Sequence, residues 1–462
     1  MSTTTRTDQT RSSDPVTAPA TAPASTRTAE APPTVTYSPT VSAAAAAADL
    51  IGVWLGNPPP VRFEFWDGSS LGPASSPGTV EVRSPDAIRR ILWAPGELGV
   101  GRAYVSGDLG LRGDLFATLE ALRDGYQPSR KATAAAVPAG VKAAQRLGVI
   151  GAPLAPPPEE MVHNSGWRHT RRRDSASISH HYDVGNDFYR LVLGPSMTYS
   201  CARYEDPSMT LEAAQASKHE LISRKLGLAD RPGARMLDVG CGWGSLAMHA
   251  AQHHGARVVG VTISKEQAAR ARERVAEAEL EDQVEIRVQD YRDLRGEQPF
   301  DAISSVGMFE HVGSERMAEY FATLHGLLAP TGRLLNHGIS SVGGSKLSNR
   351  SFMNRYVFPD GELLDVGCVV LAMERAGFEV RDVDSLRESY ALTLRAWVAN
   401  LEEHWDEAVA LVGEPRARIW RLYMASSALG FTDGGLGLHQ VLGVVPDDHG
   451  DAAVPPTRRD WV

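Results

Sequence analysis

The chain has 462 residues, of which 42% are hydrophobic and 22% are charged, as is typical of a globular protein with more than one domain. No apolar run approaches the roughly 18–20 residues that span a bilayer, and the N-terminus lacks the basic start and apolar core of a secretory signal. The formal net charge of -9 argues against a nucleic-acid binder. The three cysteines lack zinc-ligand spacing, so they predict neither a disulfide framework nor a metal site, and they suit a reducing cytoplasm.

The first 126 residues divide into a leader and a small folded domain. Residues 1–46 are mainly Thr, Ser, Ala and Pro, so we expect this leader to be disordered, and we expect the same of residues 446–462. Apolar and polar residues alternate from 61 to 65, which predicts a strand, and residues 79–83 predict a second one. A short helix follows, so residues 47–126 predict a small α+β domain.

Residues 127–179 form a predicted linker rich in Pro, Ala and Gly. Basic residues outnumber acidic residues in it by eight to two, and Trp167 lies beside the densest basic cluster. One interpretation is a solvated linker, and the other is a patch that contacts anionic lipid headgroups, worth about 1 kcal/mol per basic residue near a membrane surface. The sequence leaves both open. The residues counted are Arg130, Lys131, Lys142, Arg146, Arg168, Arg171, Arg172 and Arg173 against Glu159 and Glu160.

The second domain, residues 180–445, alternates predicted strands with predicted helices. Such alternation indicates an α/β fold in which helices cover both faces of a mostly parallel sheet. Helical patterns at 265–279 and 316–328 separate some of the strands. The predicted strands are 234–239, 257–263, 284–289, 300–306 and 332–338.

A glycine-rich turn follows the first of these strands. Gly240, Gly242 and Gly244 would allow the backbone to turn tightly and to approach a ligand closely. This spacing alone is also found in dinucleotide enzymes and in ordinary tight turns. However, polar residues follow the next two strands as well, at 262–267 and 289–293, where an open α/β sheet binds a nucleoside. No nucleoside triphosphate motif is present in the sequence.

Seven motifs in this order resemble those of the cyclopropane-fatty-acyl-phospholipid synthases, over about residues 180–445. They are HYDVGND at 181–187, YSCA at 199–202, LDVGCGWG at 237–244, GVTIS at 260–264, QDYRDL at 289–294, GMFEHVG at 307–313 and RYVFP at 355–359.

The resemblance implies a Rossmann-like class I methyltransferase fold, an N-terminal lipid-binding-like domain and S-adenosylmethionine as co-substrate. The implied cofactor-binding residues are Tyr199, Ser200, Asp238, Gly240, Gly242, Gly244, Thr262, Ile263, Gln267, Tyr291 and Arg292. Many methyltransferases carry an acid at the end of the second strand, where this chain has Thr262, so we expect Gln267 and main-chain groups to hold the ribose.

The resemblance also implies the reaction. The double bond of an unsaturated phospholipid acyl chain attacks the sulfonium methyl group, and a bound bicarbonate ion removes a proton from the new methyl group so that a ring closes. The implied residues of the ion site are Cys201, Glu310, His337, Ile339 and Tyr390, with Cys201 lining the site rather than acting as a nucleophile. Four aromatic residues could line the acyl channel, but packing in the core is the favoured interpretation for each of them. They are Trp243, Phe309, Tyr356 and Phe358.

Other outcomes stay open at this point. The same methyl transfer could end in a methylene-branched acyl chain, and a protein of another class could keep this fold as an inactive lipid-binding module. A nicotinamide enzyme is less favoured because no acid stands at the ribose position. We expect a cytoplasmic enzyme that associates peripherally with the inner face of the membrane and binds no nucleic acid. The sequence leaves open whether it forms a homodimer.

Overall fold

Two β-sheets organise the computed structural model, which describes residues 41–126, 129–161, 184–294, 296–345, 348–359 and 361–461. The N-terminal part contains α1 (Ala43–Leu55), β1 (Arg62–Phe65), β2 (Ser70–Leu71), β3 (Gly78–Val82), α2 (Asp86–Trp93), α3 (Glu97–Val105), β4 (Leu109–Gly113), α4 (Leu115–Gly125) and α5 (Arg130–Leu147). Within the described residues its sheet has the order β2-β1-β3-β4. Strands β1 and β3 pair in parallel, and the other pairs are antiparallel.

The predicted alternation in this sheet is present in the burial of its side chains. Phe63, Phe65, Val80 and Val82 are buried, while their neighbours along β1 and β3 are more exposed. One face of the sheet therefore packs against the helices, as expected for a half-buried sheet.

Helix α5 lies where the sequence predicts a linker. Ala, Lys, Arg and Gln, which fill most of this segment, favour helices, and their helix preference outweighs Pro138 and the glycine in the same stretch. Ala143, Ala144 and Leu147 are buried, and Lys142 forms an ion pair with Asp49 of α1 at 3.0 Å. The segment is thus a helix of the N-terminal domain. Trp167 and the four arginines from 168 to 173 lie outside the described residues.

The second part contains α6 (Asn186–Leu193), α7 (Leu211–Lys225), β5 (Arg235–Val239), α8 (Ser245–His254), β6 (Arg257–Thr262), α9 (Lys265–Glu277), β7 (Val284–Val288), β8 (Phe300–Val306), α10 (Met317–Gly326), β9 (Leu328–Ser341), α11 (Phe352–Tyr356), β10 (Leu364–Asp365), α12 (Val366–Arg375), β11 (Glu379–Ser385), α13 (Arg387–Glu403), α14 (Trp405–Val412), α15 (Glu414–Thr432) and β12 (Leu436–Val444). In the described chain the sheet order is β11-β12-β9-β8-β5-β6-β7, with β10 beside β9. Among the described strands of this sheet, only β12 runs antiparallel to its neighbours, which are β9 and β11. The predicted mostly parallel α/β sheet is confirmed.

The last residues of the chain pack against this second part, although the sequence predicts disorder for 446–462. Trp461 and Ala452 are buried, and the carbonyl of Ala453 accepts a hydrogen bond from Arg333 at 2.8 Å. A large aromatic side chain gains enough from burial to order a short polar segment, which explains the difference.

Helices α6, α13 and α15 form a helical layer in which α13 contacts both other helices, and α13 and α15 also contact β12. Its centre is aromatic, with the rings of Tyr189 and Trp420 at 5.4 Å and those of Tyr199 and Trp397 at 5.4 Å. Arg418 of α15 donates to main-chain carbonyls of the N-terminal part, so this layer also joins the two parts. Among the described residues, none of the helices is both long and apolar enough to cross a membrane.

Candidate active site

A cavity of about 170 Å³ opens at the carboxyl ends of β5, β6, β7 and β8. This is the edge of a parallel sheet where ligands bind in open α/β folds. Ten of the eleven predicted cofactor-binding residues line it, and Gly244 does not. Those ten are Tyr199, Ser200, Asp238, Gly240, Gly242, Thr262, Ile263, Gln267, Tyr291 and Arg292.

The glycine turn follows β5 and forms one wall of the cavity. Gly240, Gly242 and Gly244 have φ angles of 78°, 54° and 80°, which favour glycine. A Cβ atom at Gly240 would lie 3.2 Å from the side chain of Met308, whereas one at Gly242 would extend into open space. Gly244 instead precedes the first residue of α8. Its positive φ angle places the backbone at the start of that helix.

The ends of β6 and β7 present polar side chains to the same cavity. Thr262 donates to Gln267 Oε1 at 2.9 Å, and both side chains are buried. Arg292 binds Asp290 through two hydrogen bonds of 2.8 and 2.6 Å. These contacts fix the orientation of polar groups that could contact a nucleoside.

Asp238, the fourth residue of β5, is a buried carboxyl group beside the glycine turn. Burial raises its pKa to about 6, although a 2.7 Å hydrogen bond from Ser304 and the charge of Lys218 oppose that shift. The group is therefore ionised at neutral pH but accepts a proton more readily than an exposed aspartate.

Lys218 of α7 also lines the cavity, and the sequence motifs do not identify it. Its side chain is 1% exposed, and its Nζ donates to Ser200 Oγ at 3.0 Å. Burial lowers the pKa of this lysine to about 7, and the nearby Asp238 carboxylate opposes that shift. One signal in the sequence could have found it, because Lys218 falls on the apolar stripe of α7 between Ala214 and Ile222.

The five predicted ion-site residues do not line the described cavity, but Cys201 and Glu310 adjoin the lining residues Ser200 and His311. They form two pairs, and His337 stands apart. Cys201 and Tyr390 form the first, because the carbonyl of Leu386 accepts from both the Cys201 thiol, at 3.6 Å, and the Tyr390 main-chain N–H, at 3.0 Å. Burial raises the pKa of the Cys201 thiol, so it is neutral. A neutral, enclosed thiol is unsuited to nucleophilic attack and fits the predicted lining role.

Glu310 and Ile339 form the second group. Glu310 lies on a short 3₁₀ helix after β8, and its Oε1 accepts the main-chain N–H of Ile339 on β9 at 2.7 Å. Its Oε2 is buried and has no hydrogen-bond partner among the described residues. Burial raises the pKa of this carboxyl group. A buried oxygen of this kind needs a polar ligand.

His337 lies two residues before Ile339 on β9 and faces Gln440 of β12 across the antiparallel pair. Lys225 donates to Gln440 Oε1 at 2.9 Å, so the amide nitrogen of Gln440 must face His337 Nδ1, 3.3 Å away. The imidazole proton is therefore on Nε2, which has no partner in the described part of the chain. Burial, with Lys218 and Lys225, lowers the pKa of His337 well below its usual value.

The four aromatic candidates for the acyl channel occupy different places. Trp243 lines the cavity and donates from Nε1 to Asn186 at 2.8 Å. Phe309 stacks on Phe321 in the core, and Tyr356 donates to Glu160 at 3.1 Å. Phe358 packs against Tyr423 at 5.6 Å. The motif residues 181–183 lie outside the described residues.

Comparisons with known proteins identify similar sequences and structures. A family model described as mycolic acid cyclopropane synthetase matches residues 169–441. The chain is 42% identical over 418 residues to a probable fatty acid methyltransferase of Mycobacterium tuberculosis, covering 87% of this chain and 94% of that one. It is 35% identical over 369 residues to the cyclopropane-fatty-acyl-phospholipid synthase of Escherichia coli, covering 80% and 88% of the two chains.

A similar solved structure is the mycolic acid cyclopropane synthase CmaA1 complexed with SAH and CTAB. It is 35% identical in sequence, with a TM-score of 0.54, and the match covers 58% of this chain and 98% of that one. The matched part of this chain thus corresponds to nearly the whole of the CmaA1 chain.

Proposed function

Because the chain belongs to the mycolic acid cyclopropane synthetase family and is an S-adenosylmethionine-dependent C-methyltransferase, we propose that it methylates the cis double bond of unsaturated phospholipid acyl chains and closes a cyclopropane ring. One observation carries this proposal. Two buried polar atoms of the predicted ion site, Glu310 Oε2 and His337 Nε2, have no hydrogen-bond partner among the residues described. They suit a small polar group held close to a methyl donor.

The extent of the matches favours phospholipid acyl chains as the substrate. The family model begins at residue 169, so it leaves out the N-terminal domain. The match to the cyclopropane-fatty-acyl-phospholipid synthase instead covers 80% of this chain, which must include much of that domain. A domain shared with an enzyme named for phospholipid substrates supports the same substrate class here.

In this proposal S-adenosylmethionine occupies the cavity at the strand ends. The glycine turn contacts it through the main chain, and the buried Thr262–Gln267 pair and Asp238 supply polar contacts. The CmaA1 structure, which contains SAH, supports this placement. The π electrons of the acyl chain attack the methyl carbon, the carbon–sulfur bond breaks, and S-adenosylhomocysteine leaves with the electron pair. A carbocation then remains on the acyl chain, and loss of a proton from the transferred carbon closes the ring.

A bound bicarbonate would supply the base that takes this proton. His337, which is neutral and protonated on Nε2, would donate a hydrogen bond to such an ion. Glu310 would accept one through Oε2, and Ile339 fixes that carboxyl group by donating to Oε1 at 2.7 Å. One donor and one acceptor match an ion that carries both an O–H group and acceptor oxygens. Buried walls around Cys201 would keep water from the carbocation.

Lipid mass spectrometry tests the proposed reaction. A host with unsaturated phospholipids expresses the chain and receives a labelled methyl donor, and the expected product carries one labelled carbon in a ring. A methylene-branched product has the same mass and must be separated by its fragmentation, and finding it would replace the cyclopropane proposal. An absence of label in the lipids would favour the inactive lipid-binding alternative.

Variants of the proposed base site provide the second test. Glu310→Gln should fold and bind S-adenosylhomocysteine but lose roughly 100-fold in turnover, because a base misplaced by about 1 Å costs about that much. His337→Ala should act similarly, and the double variant should lose less than the product of the two effects, since both groups hold one ion. Glu362→Gln, which changes a carboxylate that binds Ser314 near the surface, is the matched control. Full turnover in Glu310→Gln would refute this assignment.

We also propose that the enzyme works at the inner face of the membrane as a peripheral protein. Its substrate class and the predicted basic residues near 168–173 support this placement. Binding to anionic vesicles should weaken as salt rises, because exposed charges are then screened. Sedimentation that responds neither to salt nor to replacement of Arg171, Arg172 and Arg173 would contradict it.

A further inference from the structure

Three potential metal ligands meet on the side of α7 and α8, outside the proposed catalytic residues. Glu220 lies on α7, and His249 and His254 lie on α8. Their ligand atoms all lie within 4.8 Å of one another. The side chains are 32%, 13% and 8% exposed, so the imidazoles are largely enclosed. This cluster is called the His-Glu cluster below.

The two imidazoles converge on one oxygen atom. Nε2 of His249 lies 3.3 Å from Glu220 Oε2, and Nε2 of His254 lies 3.0 Å from the same atom. A tetrahedral zinc ion with ligand bonds of about 2.0–2.1 Å separates neighbouring ligand atoms by about 3.3 Å. Both distances to Glu220 Oε2 are therefore close to that spacing, and the two nitrogen atoms lie within 4.8 Å of each other, so the side chains could close around an ion.

The surroundings of Glu220 support a ligand role. Arg224 donates to its other oxygen, Oε1, at 2.7 Å and so fixes the carboxylate with Oε2 toward the histidines. Hydrogen bonds of this kind orient ligands at metal sites. The ring of His253 lies 4.5 Å from that of His249, which places a further imidazole next to the cluster. Histidine is only a moderate helix former, so helix propensity does not explain three histidines in the ten residues of α8.

We propose that Glu220, His249 and His254 bind a divalent cation of the zinc class, which joins α7 to α8 beside the cofactor cavity. Two imidazoles and a carboxylate are ligands that zinc accepts readily. Lys218 and His219, directly before Glu220, line the cavity, as do Ser245 and Leu246 at the start of α8. The ion would therefore hold together two helices that form adjacent walls of that cavity. The sequence shows no such site because its ligands lie 29 and 34 positions apart on two helices.

The test uses full-length protein without a histidine tag, in a Cys368→Ser background because the exposed Cys368 thiol could bind zinc by itself. Calorimetry with zinc chloride on metal-stripped protein should show one equivalent bound, and zinc should raise the melting temperature. Cobalt bound in its place should give a tetrahedral visible spectrum without thiolate charge-transfer bands.

His254→Ala and Glu220→Gln should each lose this binding and the rise in melting temperature. His404→Ala, which changes a histidine on another part of the surface, should keep both. Circular dichroism checks that the variants fold, and His249→Gln serves as a third variant if one of the first two does not. A protein that binds no zinc, or that binds it equally well after the loss of Glu220 and His254, would refute the site and leave two ordinary histidine–carboxylate hydrogen bonds.

Discussion

Replacing Lys218 by methionine should make the protein more stable near neutral pH, because this lysine is buried with a hydroxyl group as its hydrogen-bond partner. Its side chain is 1% exposed, and burial lowers its pKa from 10.5 to about 7. A shift of that size corresponds to a cost of at most about 5 kcal/mol for burying the ammonium group. Methionine has a similar length and no charge. It would remove this cost and lose the 3.0 Å hydrogen bond to Ser200, worth about 1–3 kcal/mol.

The effect should depend on pH with a defined sign. Below about pH 7 the lysine is charged in both states, and the folded protein carries the full cost. Between about pH 7 and 10.5 the unfolded chain keeps a proton that the folded protein has lost, so the contribution of Lys218 to stability rises with pH. From about pH 7 to about pH 9.5 the free energy of unfolding of the wild type should therefore rise by up to roughly 3 kcal/mol relative to Lys218→Met.

Urea denaturation of both proteins at the two pH values measures this difference. Lys225→Met is the matched control, because Lys225 is equally buried but forms ion pairs with Asp382 at 3.0 Å and Asp384 at 2.9 Å. Removing one partner of a buried ion pair costs about 3–5 kcal/mol, so this variant should be less stable than the wild type at both pH values. If wild type and Lys218→Met show parallel pH profiles, the folded protein does not hold Lys218 with a lowered pKa.

Two further predictions concern the glycine turn and the contact between the two parts of the chain. Gly242→Val should fold but lose S-adenosylhomocysteine binding in calorimetry. The control is Gly255→Val, because Gly255 has a similar φ of 64° but does not line the described cavity. Both variants should carry backbone strain of about 1–2 kcal/mol, and only Gly255→Val should keep binding. Equal binding in both variants would contradict the cofactor placement. Glu160 accepts from Arg102, Arg355 and Tyr356, and although burial alone would raise its pKa, the two arginines hold that pKa below its usual value. Glu160→Gln should therefore lower the free energy of unfolding by about 3–5 kcal/mol in urea denaturation. The control Glu120→Gln changes a partly exposed ion pair with Arg395 and should cost at most about 1 kcal/mol. Similar losses in the two variants would show that the buried Glu160 contacts contribute no more than an exposed ion pair.

The parallel sheet and the cofactor cavity could be predicted because their determinants are local. Each strand is a short apolar run, and each is followed directly by the residues that line the cavity, as in the turn from Asp238 to Gly242. The topology then brings the carboxyl ends of neighbouring strands to one edge. Tyr199 and Ser200 line the same cavity but follow no strand of this sheet, and it was the family resemblance that implied them.

The predictions from composition were wrong in two segments, where the burial of a few side chains determines the structure. Helix α5 is rich in Ala and contains Pro138, so its sequence suits a linker, yet it packs against α1 and buries Ala143 and Ala144. The C-terminal residues are polar, yet Trp461 anchors them in the core. In both segments a few apolar contacts outweigh the average composition.

The contacts that orient the proposed base site could not be predicted from the sequence, because they arise from the pairing of β9 with β12. Gln440 is 103 positions from His337 in the sequence, and it fixes the imidazole proton on Nε2 only because the two residues face each other across the antiparallel pair. A slip of one residue would place His439 or Val441 opposite His337 and would turn Gln440 away. Neither His439 nor Val441 would be held in one orientation by Lys225, as the Gln440 amide is. The register of β12, and not any motif around His337, therefore determines which nitrogen of His337 is left to donate to the proposed ion.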